Sequence, residues 1–188
     1  MNLYLQNLSE HRAVFDRLQT LDTVIGQAGA ALVASLRAGG KVMFCGNGGS
    51  AADSQHLAAE FTGRFIKDRP PIAAIALSTD SSALTCIAND YHFDQVFARQ
   101  LQALGKAGDC VVGISTSGNS ANVVNAFAAA RAANIATIGL LGRDGGELAA
   151  LSDVAIVVPA DVTARIQEAH ILIGHTLCGM VEQGLGLV

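Results

Sequence analysis

Short apolar runs alternate along the chain with longer stretches of helical character, and this alternation predicts the order of the elements. Each apolar run has the length of a strand and ends at a glycine, a serine or a proline. The five predicted strands are residues 41–45, 73–77, 109–114, 135–141 and 154–158. Helices are predicted from the first glycine-rich loop to about residue 62, and over 81–88, 95–104, 121–133, 145–151 and 163–184.

The region before the first strand is also predicted to be helical. Between Leu3 and Leu36, apolar residues recur at spacings of three, four and seven positions, which places them along one stripe of a helix. The spacing is compatible with one long helix or with two. We expect residues 1–38 to be a helical segment used in oligomer packing, within a single domain that covers residues 1–188.

The apolar character of the predicted strands is continuous rather than alternating, so we expect both faces of the sheet to be buried. The connections are long enough for crossover helices, which favours parallel strands. The sequence therefore predicts an α/β fold. It is a three-layer α/β/α sandwich around a five-stranded parallel sheet, with long N- and C-terminal helices.

Composition narrows the class of protein further. Hydrophobic residues make up 51% of the 188 residues and charged residues 15%, against a usual charged share of about 25%. This apolar excess predicts burial against other subunits. The formal net charge of −4 supplies no field to hold nucleic acid or an anionic membrane. No signal peptide or membrane span is predicted, so we expect a cytoplasmic protein with reduced cysteines.

Two polar loops follow predicted strands, at residues 46–50 and 115–120. Ligands of an open parallel sheet bind beyond the carboxyl ends of the strands, so both loops are candidate sites. The second loop contains Ser115, Thr116 and Ser117, and Ser120 precedes a predicted helix, whose N-terminus favours an anion such as phosphate. One serine would be enough to cap the helix, so four hydroxyls in six residues favour a phosphate site over capping alone.

The first loop fits a second class of site as well. Gly46-Asn-Gly-Gly-Ser-Ala51 matches the loose dinucleotide fingerprint G-x-G-x-x-A. That fingerprint needs an acidic residue about 20 positions further on. Here the first one at the next strand end is Asp80, roughly 30 positions away. Dinucleotide binding is therefore the weaker alternative.

A candidate metal site is spread over two predicted helices. His56 and Glu60 are four positions apart and share a helix face, where they either form an ordinary hydrogen bond or bind a metal. Gln167 and His175 are eight positions apart on the last helix and also face one way. Imidazole, carboxylate and amide ligands together suit zinc or another divalent ion. His170 points to a different face, and we expect it to pack in the interior.

Two further polar positions each have two interpretations. Asn89-Asp90 ends a predicted helix, so it is either a helix terminus or a contact to substrate hydroxyls. Arg64 lies eight positions past His56 and is either a surface cation or a charge that faces the substrate. We predict that both belong to the site.

Six motifs together resemble the sugar isomerase (SIS) family, and within it the heptose-phosphate isomerases. They are Gly46–Asp53, His56 with Glu60, Ala88–Tyr91, Gly113–Asn122, Gly142–Gly146 and Ala164–Glu168. The resemblance implies the flavodoxin-like SIS fold, in agreement with the fold predicted above. It also implies isomerisation of D-sedoheptulose 7-phosphate to D-glycero-D-manno-heptose 7-phosphate through an enediolate. That reaction is the first step of heptose biosynthesis for bacterial lipopolysaccharide or another surface polysaccharide.

The resemblance also implies roles for the matching residues. It implies one zinc ion per subunit, held by His56, Glu60, Gln167 and His175. It implies substrate contacts from Asn47, Gly48, Gly49, Glu60, Asn89, Asp90, Ser115, Thr116, Ser117, Ser120 and Gln167. We assign Glu60 as the base and His175 as the proton shuttle, because an aldose–ketose conversion must move protons to and from both carbon and oxygen. The family implies a homotetramer with active sites at subunit interfaces.

Two alternatives share the fold and the serine loop. One is a non-catalytic SIS protein that binds the bacterial replication initiator, and the other is a regulator that senses a sugar phosphate. In the initiator-binding relative, the residue matching Glu60 is not acidic and the one matching His175 is not histidine. A sensor would need the loops but neither of these residues. Their presence here favours the enzyme.

Overall fold

The computed structural model describes residues 2–188 and contains one five-stranded parallel sheet in the order β2-β1-β3-β4-β5. The strands are β1 (Val42–Gly46), β2 (Ala74–Ala76), β3 (Cys110–Ser115), β4 (Ala136–Gly142) and β5 (Val154–Val158). The helices are α1 (Leu3–Phe15), α2 (Asp22–Arg37), α3 (Gly49–Thr62), α4 (Ser81–Asp90), α5 (Val96–Leu104), α6 (Ala121–Ala132), α7 (Gly146–Leu151) and α8 (Thr163–Gly184). The predicted α/β fold is confirmed, and each predicted strand end lies within one residue of the observed one.

The N-terminal region forms two α-helices rather than one. A short 3-10 helix, Asp16–Leu21, separates α1 from α2. Val14, Leu18 and Leu32 are buried along this region and join the same apolar cluster as the strands. The predicted stripe of apolar residues therefore packs against one face of the sheet.

The two faces of the sheet have separate cores, because successive side chains of a strand point to opposite faces. On β1, Phe44 packs with Phe61 of α3 in one cluster, which also contains residues of α2 and α8. Met43, the preceding residue of the same strand, packs with Phe97 and Phe127 of α5 and α6 in the other cluster. Burial on both faces explains why the strands read as continuous apolar runs.

The strand order places the two polar loops side by side. From β1 the chain first adds β2 on one side and then crosses to β3 on the other side. The carboxyl ends of β1 and β3 therefore flank the point where the winding direction changes, which is the usual ligand crevice of such sheets. The loops after these two strands are the ones that the sequence singles out.

The structure also bears on the membrane and cysteine predictions. Over residues 2–188, no helix has both the length and the apolar character needed to cross a membrane. All four cysteines are free thiols, of which Cys86 is exposed. Burial raises the pKa of the Cys45, Cys110 and Cys178 thiols to about 12, so these three groups are neutral and unreactive.

Candidate active site

Helices α3 and α8 bring together three side chains that could bind a metal ion, which are His56, Glu60 and His175. His56 Nε2 lies 2.8 Å from His175 Nε2 and 3.5 Å from Glu60 Oε1. Ligand atoms of all three residues lie within 4.8 Å of one another. The His56 side chain is 48% exposed and that of Glu60 is 20% exposed, so the cluster is open to small molecules.

The spacing of this cluster fits a divalent ion. Zinc bonds to nitrogen and oxygen are about 2.0–2.1 Å long, so two ligand atoms of a tetrahedral ion lie about 3.3 Å apart. The observed separations of 2.8 and 3.5 Å lie on either side of that value. Two imidazoles and a carboxylate are also a donor set that zinc accepts. His56, Glu60 and His175 thus form a suitable divalent metal site.

Two glycines let α8 approach the rest of the site. A Cβ at Gly49 would lie 2.5 Å from Gln167 Nε2, so only glycine at this position allows the Gln167 side chain to rest against the first loop. A Cβ at Gly174 would lie 2.7 Å from the methyl groups of Leu57 on α3. The small residues therefore permit the close contact of α8 with both α3 and the loop.

Asp53 lies near this cluster, and its sequence pattern assigns it no role. Its Oδ2 atom is buried without a hydrogen-bond partner among the described residues. Burial raises the pKa of the Asp53 carboxyl, and the nearby His56 and His175 rings partly offset this increase. The sequence spacing could have identified Asp53 as a neighbour of the cluster. It lies three residues before His56 and seven before Glu60, so all three share one helix face.

The serine loop does not use its hydroxyl groups to cap helix α6. Ser120 occupies the N-cap position of α6, but its side chain makes no capping hydrogen bond. Its hydroxyl instead lies 2.9 Å from the Ser115 hydroxyl, and Ser117 Oγ accepts a hydrogen bond from the Asn119 backbone N–H at 3.2 Å. The capping alternative therefore does not account for Ser120, whereas phosphate binding would use these groups.

An amide pair connects the two loops. Asn47 Nδ2 donates to Asn122 Oδ1 and Asn122 Nδ2 donates to Asn47 Oδ1, each at 2.8 Å. Asn122 is 3% exposed and lies in the first turn of α6, directly after the serine loop. It orients Asn47, one of the predicted substrate contacts. Asn122 is the last residue of the Gly113–Asn122 motif, and the motif alone does not indicate its contact with Asn47.

The serine loop is also held from its other side. Gly118 has a φ of +68°, and a Cβ built there would overlap the Gly145 carbonyl. The backbone N–H of Leu148 donates to Gly118 O at 2.9 Å. The turn between β4 and α7 therefore fixes the shape of the loop.

Three further predicted substrate contacts are exposed side chains that hydrogen-bond to nearby residues. Arg64 is exposed and donates to the Ile66 carbonyl at 2.9 Å. Asn89 and Asp90 are exposed at the end of α4, where Asn89 Nδ2 donates to Asp90 Oδ1 at 2.8 Å. In the described part of the chain, no hydrogen bond joins these side chains to either loop, and their role stays a prediction.

Asp80 caps helix α4, and this role argues against the dinucleotide alternative. Its Oδ1 atom accepts a hydrogen bond from the Ala83 backbone N–H at 2.9 Å, so the residue is the N-cap of α4. A dinucleotide site would need this carboxylate for the ribose hydroxyls. The first loop is therefore better interpreted together with the metal cluster and the serine loop.

Comparisons with known proteins agree with this geometry. The SIS domain family matches residues 6–142. The phosphoheptose isomerase of Rhodospirillum rubrum is 54% identical over 171 residues, which cover 91% of each chain. That of Campylobacter jejuni is 50% identical over 184 residues, covering 98% of this chain and 99% of the relative. The solved structure of phosphoheptose isomerase GmhA from Neisseria gonorrhoeae has a TM-score of 0.91 and 47% identity, with 96% of this chain and 97% of that chain covered. The chain belongs to the SIS domain family and, within it, to the phosphoheptose isomerases.

Proposed function

We propose that the chain converts D-sedoheptulose 7-phosphate to D-glycero-D-manno-heptose 7-phosphate, the first step toward the heptoses of a bacterial surface polysaccharide. The observation that carries this proposal is the convergence of Glu60 and His175 with His56 in one cluster. An initiator-binding protein or a sugar-phosphate sensor would use the fold and the serine loop. Neither would require a carboxylate and an imidazole arranged for proton transfer.

The serine loop and the first loop would bind the two ends of the substrate. Hydroxyls of Ser115, Thr116, Ser117 and Ser120 and the N-terminus of α6 suit the phosphate group. Asn47 and the backbone of Gly48 and Gly49 lie beside Gln167 and suit the sugar hydroxyls. Arg64, Asn89 and Asp90 remain proposed contacts. Fixing the phosphate at one end would place the reacting carbons at a defined distance from the metal cluster.

The isomerisation moves one proton from C1 to C2 and requires a second proton to be gained by the C2 oxygen and lost by the C1 oxygen. In our proposal, Glu60 removes a proton from C1 of the ketose while His175 donates a proton to the carbonyl oxygen on C2, which produces an enediol. Glu60 then returns its proton to C2, and His175 takes the proton of the C1 hydroxyl, which becomes the aldehyde oxygen. Both residues end in their starting protonation states, so the cycle balances.

The metal site would assist this chemistry. A zinc ion, one per subunit, held by His56, Glu60, Gln167 and His175 would polarise the sugar carbonyl and stabilise negative charge on its oxygen. Because Glu60 has two carboxylate oxygens, one can bind the metal while the other accepts the proton. His175 uses Nε2 toward His56, so its Nδ1 atom is the one free to exchange protons.

We infer that the enzyme is a homotetramer with active sites at the subunit interfaces. Leu3, Tyr4 and Leu5 are exposed on α1, within the segment predicted to pack in the oligomer. The openness of the metal cluster in a single chain fits coverage by another subunit. Light scattering coupled to size-exclusion chromatography should give four times the mass of the 19.3 kDa chain, and a monomer would contradict this assignment.

We infer that the enzyme acts in the cytoplasm. Its four cysteines are free thiols, which suits a reducing compartment. Cell fractionation with an antibody against the chain should recover it with cytoplasmic markers, and recovery with periplasmic markers would contradict this location.

Conversion of sedoheptulose 7-phosphate by the purified chain tests the proposed reaction. We expect turnover in the zinc-loaded protein, loss of turnover after treatment with a chelator, and recovery when zinc is restored. A folded, zinc-loaded chain that binds the sugar phosphate without converting it would favour the sensor. A chain that neither binds nor converts it would favour the initiator-binding alternative.

A further inference from the structure

A buried ion pair lies at the end of α3, outside the cluster described above. Arg69 Nε lies 2.8 Å from Glu182 Oε1, and the two side chains are 1% and 3% exposed. Removing two charges from water costs about as much free energy as their attraction returns, so such a pair is weak evidence for a role in stability. Its contacts indicate a different role.

Arg69 binds the last turn of the helix that carries Glu60. Its Nη2 atom donates to the Glu60 carbonyl at 2.6 Å, and its Nη1 atom donates to the Phe61 and Gly63 carbonyls at 2.7 and 3.1 Å. Nη1 also donates to the Pro70 carbonyl at 3.0 Å. The last carbonyls of a helix have no partners within the helix, and a cation at this end is favourable. Arg69 therefore prevents the turn that presents Glu60 from fraying.

Glu182 connects this turn to the helix that carries His175. The two residues are seven positions apart on α8, so they lie on the same helix face two turns from each other. Glu182 Oε1 also accepts a hydrogen bond from the Phe65 backbone N–H at 3.2 Å. The ion pair thus ties the end of α3 and the segment after it to α8.

We propose that Arg69 and Glu182 are positioning residues that hold Glu60 and His175 at metal-binding distance. Neither residue contacts the reacting atoms in this assignment, which rests on the proposed function of the same cluster. Helix α3 carries one half of the metal site and α8 the other, and Gly174 only permits their approach. The ion pair is what fixes the end of α3 relative to α8.

Metal affinity of two conservative variants tests this proposal. Arg69→Lys keeps the charge but replaces the planar guanidinium with a single ammonium group. An ammonium group cannot donate hydrogen bonds to four carbonyls and a carboxylate at once. Glu182→Gln keeps a hydrogen-bond acceptor and removes the charge. We expect both to bind Co²⁺ and Zn²⁺ about 10–100-fold more weakly than the parent chain, as measured by competition with a chelating dye. The visible spectrum of the Co²⁺ protein should change as well.

Asp109→Asn is the matched control. It removes the charge of another ion pair with a buried carboxylate, Lys41 Nζ to Asp109 Oδ2 at 2.6 Å, and that pair involves neither α3 nor α8. We expect this variant to lower the melting temperature without changing Co²⁺ affinity or the Co²⁺ spectrum. A double variant, Arg69→Met with Glu182→Leu, leaves no unpaired buried charge and covers the case in which a single variant does not fold.

The outcomes separate this proposal from the proposed reaction. Unchanged metal affinity in the folded Arg69 and Glu182 variants would overturn the positioning role. An equal loss of affinity in Asp109→Asn would do the same, because the effect would then follow global stability. Failure of the parent chain to convert sedoheptulose 7-phosphate would instead overturn the proposed reaction and would leave the metal-affinity comparison intact.

Discussion

Polar groups at the amino ends and at the carboxyl ends of the strands differ in their hydrogen bonding. We call these two ends of the sheet the amino edge and the carboxyl edge. At the amino edge, Asp109 accepts hydrogen bonds from the backbone N–H groups of Lys41 and Lys106 at 2.9 and 2.8 Å. Asp153 accepts the Thr137 N–H at 2.8 Å and its hydroxyl at 3.0 Å. At the carboxyl edge, Asp53 Oδ2 is buried without a partner in the described structure.

The pKa shifts of Asp109 and Asp53 differ in the same way as their hydrogen bonding. Burial by itself would raise the pKa of Asp109, but hydrogen bonds from Lys41 and Lys106 outweigh it and lower the pKa. Burial raises the pKa of Asp53, where only the charges of His56 and His175 oppose it. Satisfied polar groups stabilise a fold, whereas unsatisfied ones cost stability and are retained where a ligand completes them. The amino edge is thus structural and the carboxyl edge functional.

The largest expected effect comes from removing the proposed proton carriers of the metal cluster, which lies near Asp53. Glu60→Gln and His175→Asn keep the size of each side chain but remove its ability to exchange protons. We expect kcat to fall about 10²–10⁴-fold in each, which is the usual contribution of general acid–base catalysis. Circular dichroism and melting temperature should stay close to those of the parent chain. Near-normal kcat in either variant would remove that residue from the mechanism.

Two glycine variants compare the edges directly. Gly118 and Gly108 both have positive φ, but a Cβ at Gly118 would overlap the Gly145 carbonyl, whereas one at Gly108 would meet nothing within 4 Å. Gly118→Ala must displace the serine loop, so we expect kcat/KM to fall about 100-fold. Gly108→Ala should cost only about 1–2 kcal/mol of stability from its left-handed backbone. Equal catalytic losses in steady-state assays of the two would refute the special role of the serine loop.

Asp153→Ala tests the amino edge. It leaves the buried Thr137 N–H without its side-chain acceptor, so the free energy of unfolding should fall by about 2 kcal/mol. Urea unfolding measures this loss, while kcat should remain unchanged. A large fall in kcat in the folded variant would show that the two edges are not separate in function.

His170 offers a smaller, pH-dependent test within α8. Burial lowers its pKa from 6.5 to about 4, although a hydrogen bond with the Leu141 carbonyl opposes the shift. Above pH 6.5 the ring is neutral in both states and contributes no pH dependence. As the pH falls from 6.5 toward 4, the unfolded chain takes up a proton that the folded chain does not. The free energy of unfolding should therefore drop by about 1.4 kcal/mol per pH unit.

The variant His170→Gln should lack that part of the pH dependence. Urea unfolding of both proteins at pH 7 and pH 5.5 makes the comparison. Parallel losses of stability in the two would mean that another group is responsible. A difference between the two proteins would also distinguish the buried His170 from His175, which is half-buried on the same helix.

Local patterns were enough to predict most of the fold and part of the site. Continuous apolar runs marked the five strands, and the spacing of His56 with Glu60 marked the face of α3 that meets His175 of α8. The Gln167 amide lies against Gly49 of the first loop, and its role as a metal ligand stays a prediction. The sequence does not decide whether the N-terminal region is one helix or two, because no glycine or proline marks the break at residues 16–21.

Long-range side-chain pairs escaped the sequence analysis. Asn47 and Asn122 are 75 positions apart, and Arg69 and Glu182 are 113 positions apart. A sequence pattern identifies strands and helices but does not align one side chain with another across the sheet. The strand order β2-β1-β3 and the close packing of α8 on α3 create these pairs. For the same reason, the roles of Arg64, Asn89 and Asp90 could be stated only as predictions.

The most direct test of the account is isomerisation in D₂O, followed by NMR. The zinc-loaded chain and Glu60→Gln would each be incubated with sedoheptulose 7-phosphate. We expect the proton held by Glu60 to exchange with solvent during the lifetime of the enediol. We predict deuterium at C2 of the aldose product from the parent chain and no detectable conversion by Glu60→Gln. Equal conversion by Glu60→Gln would contradict proton transfer by Glu60, and a deuterium-free product from the parent chain would contradict exchange of the carried proton with solvent.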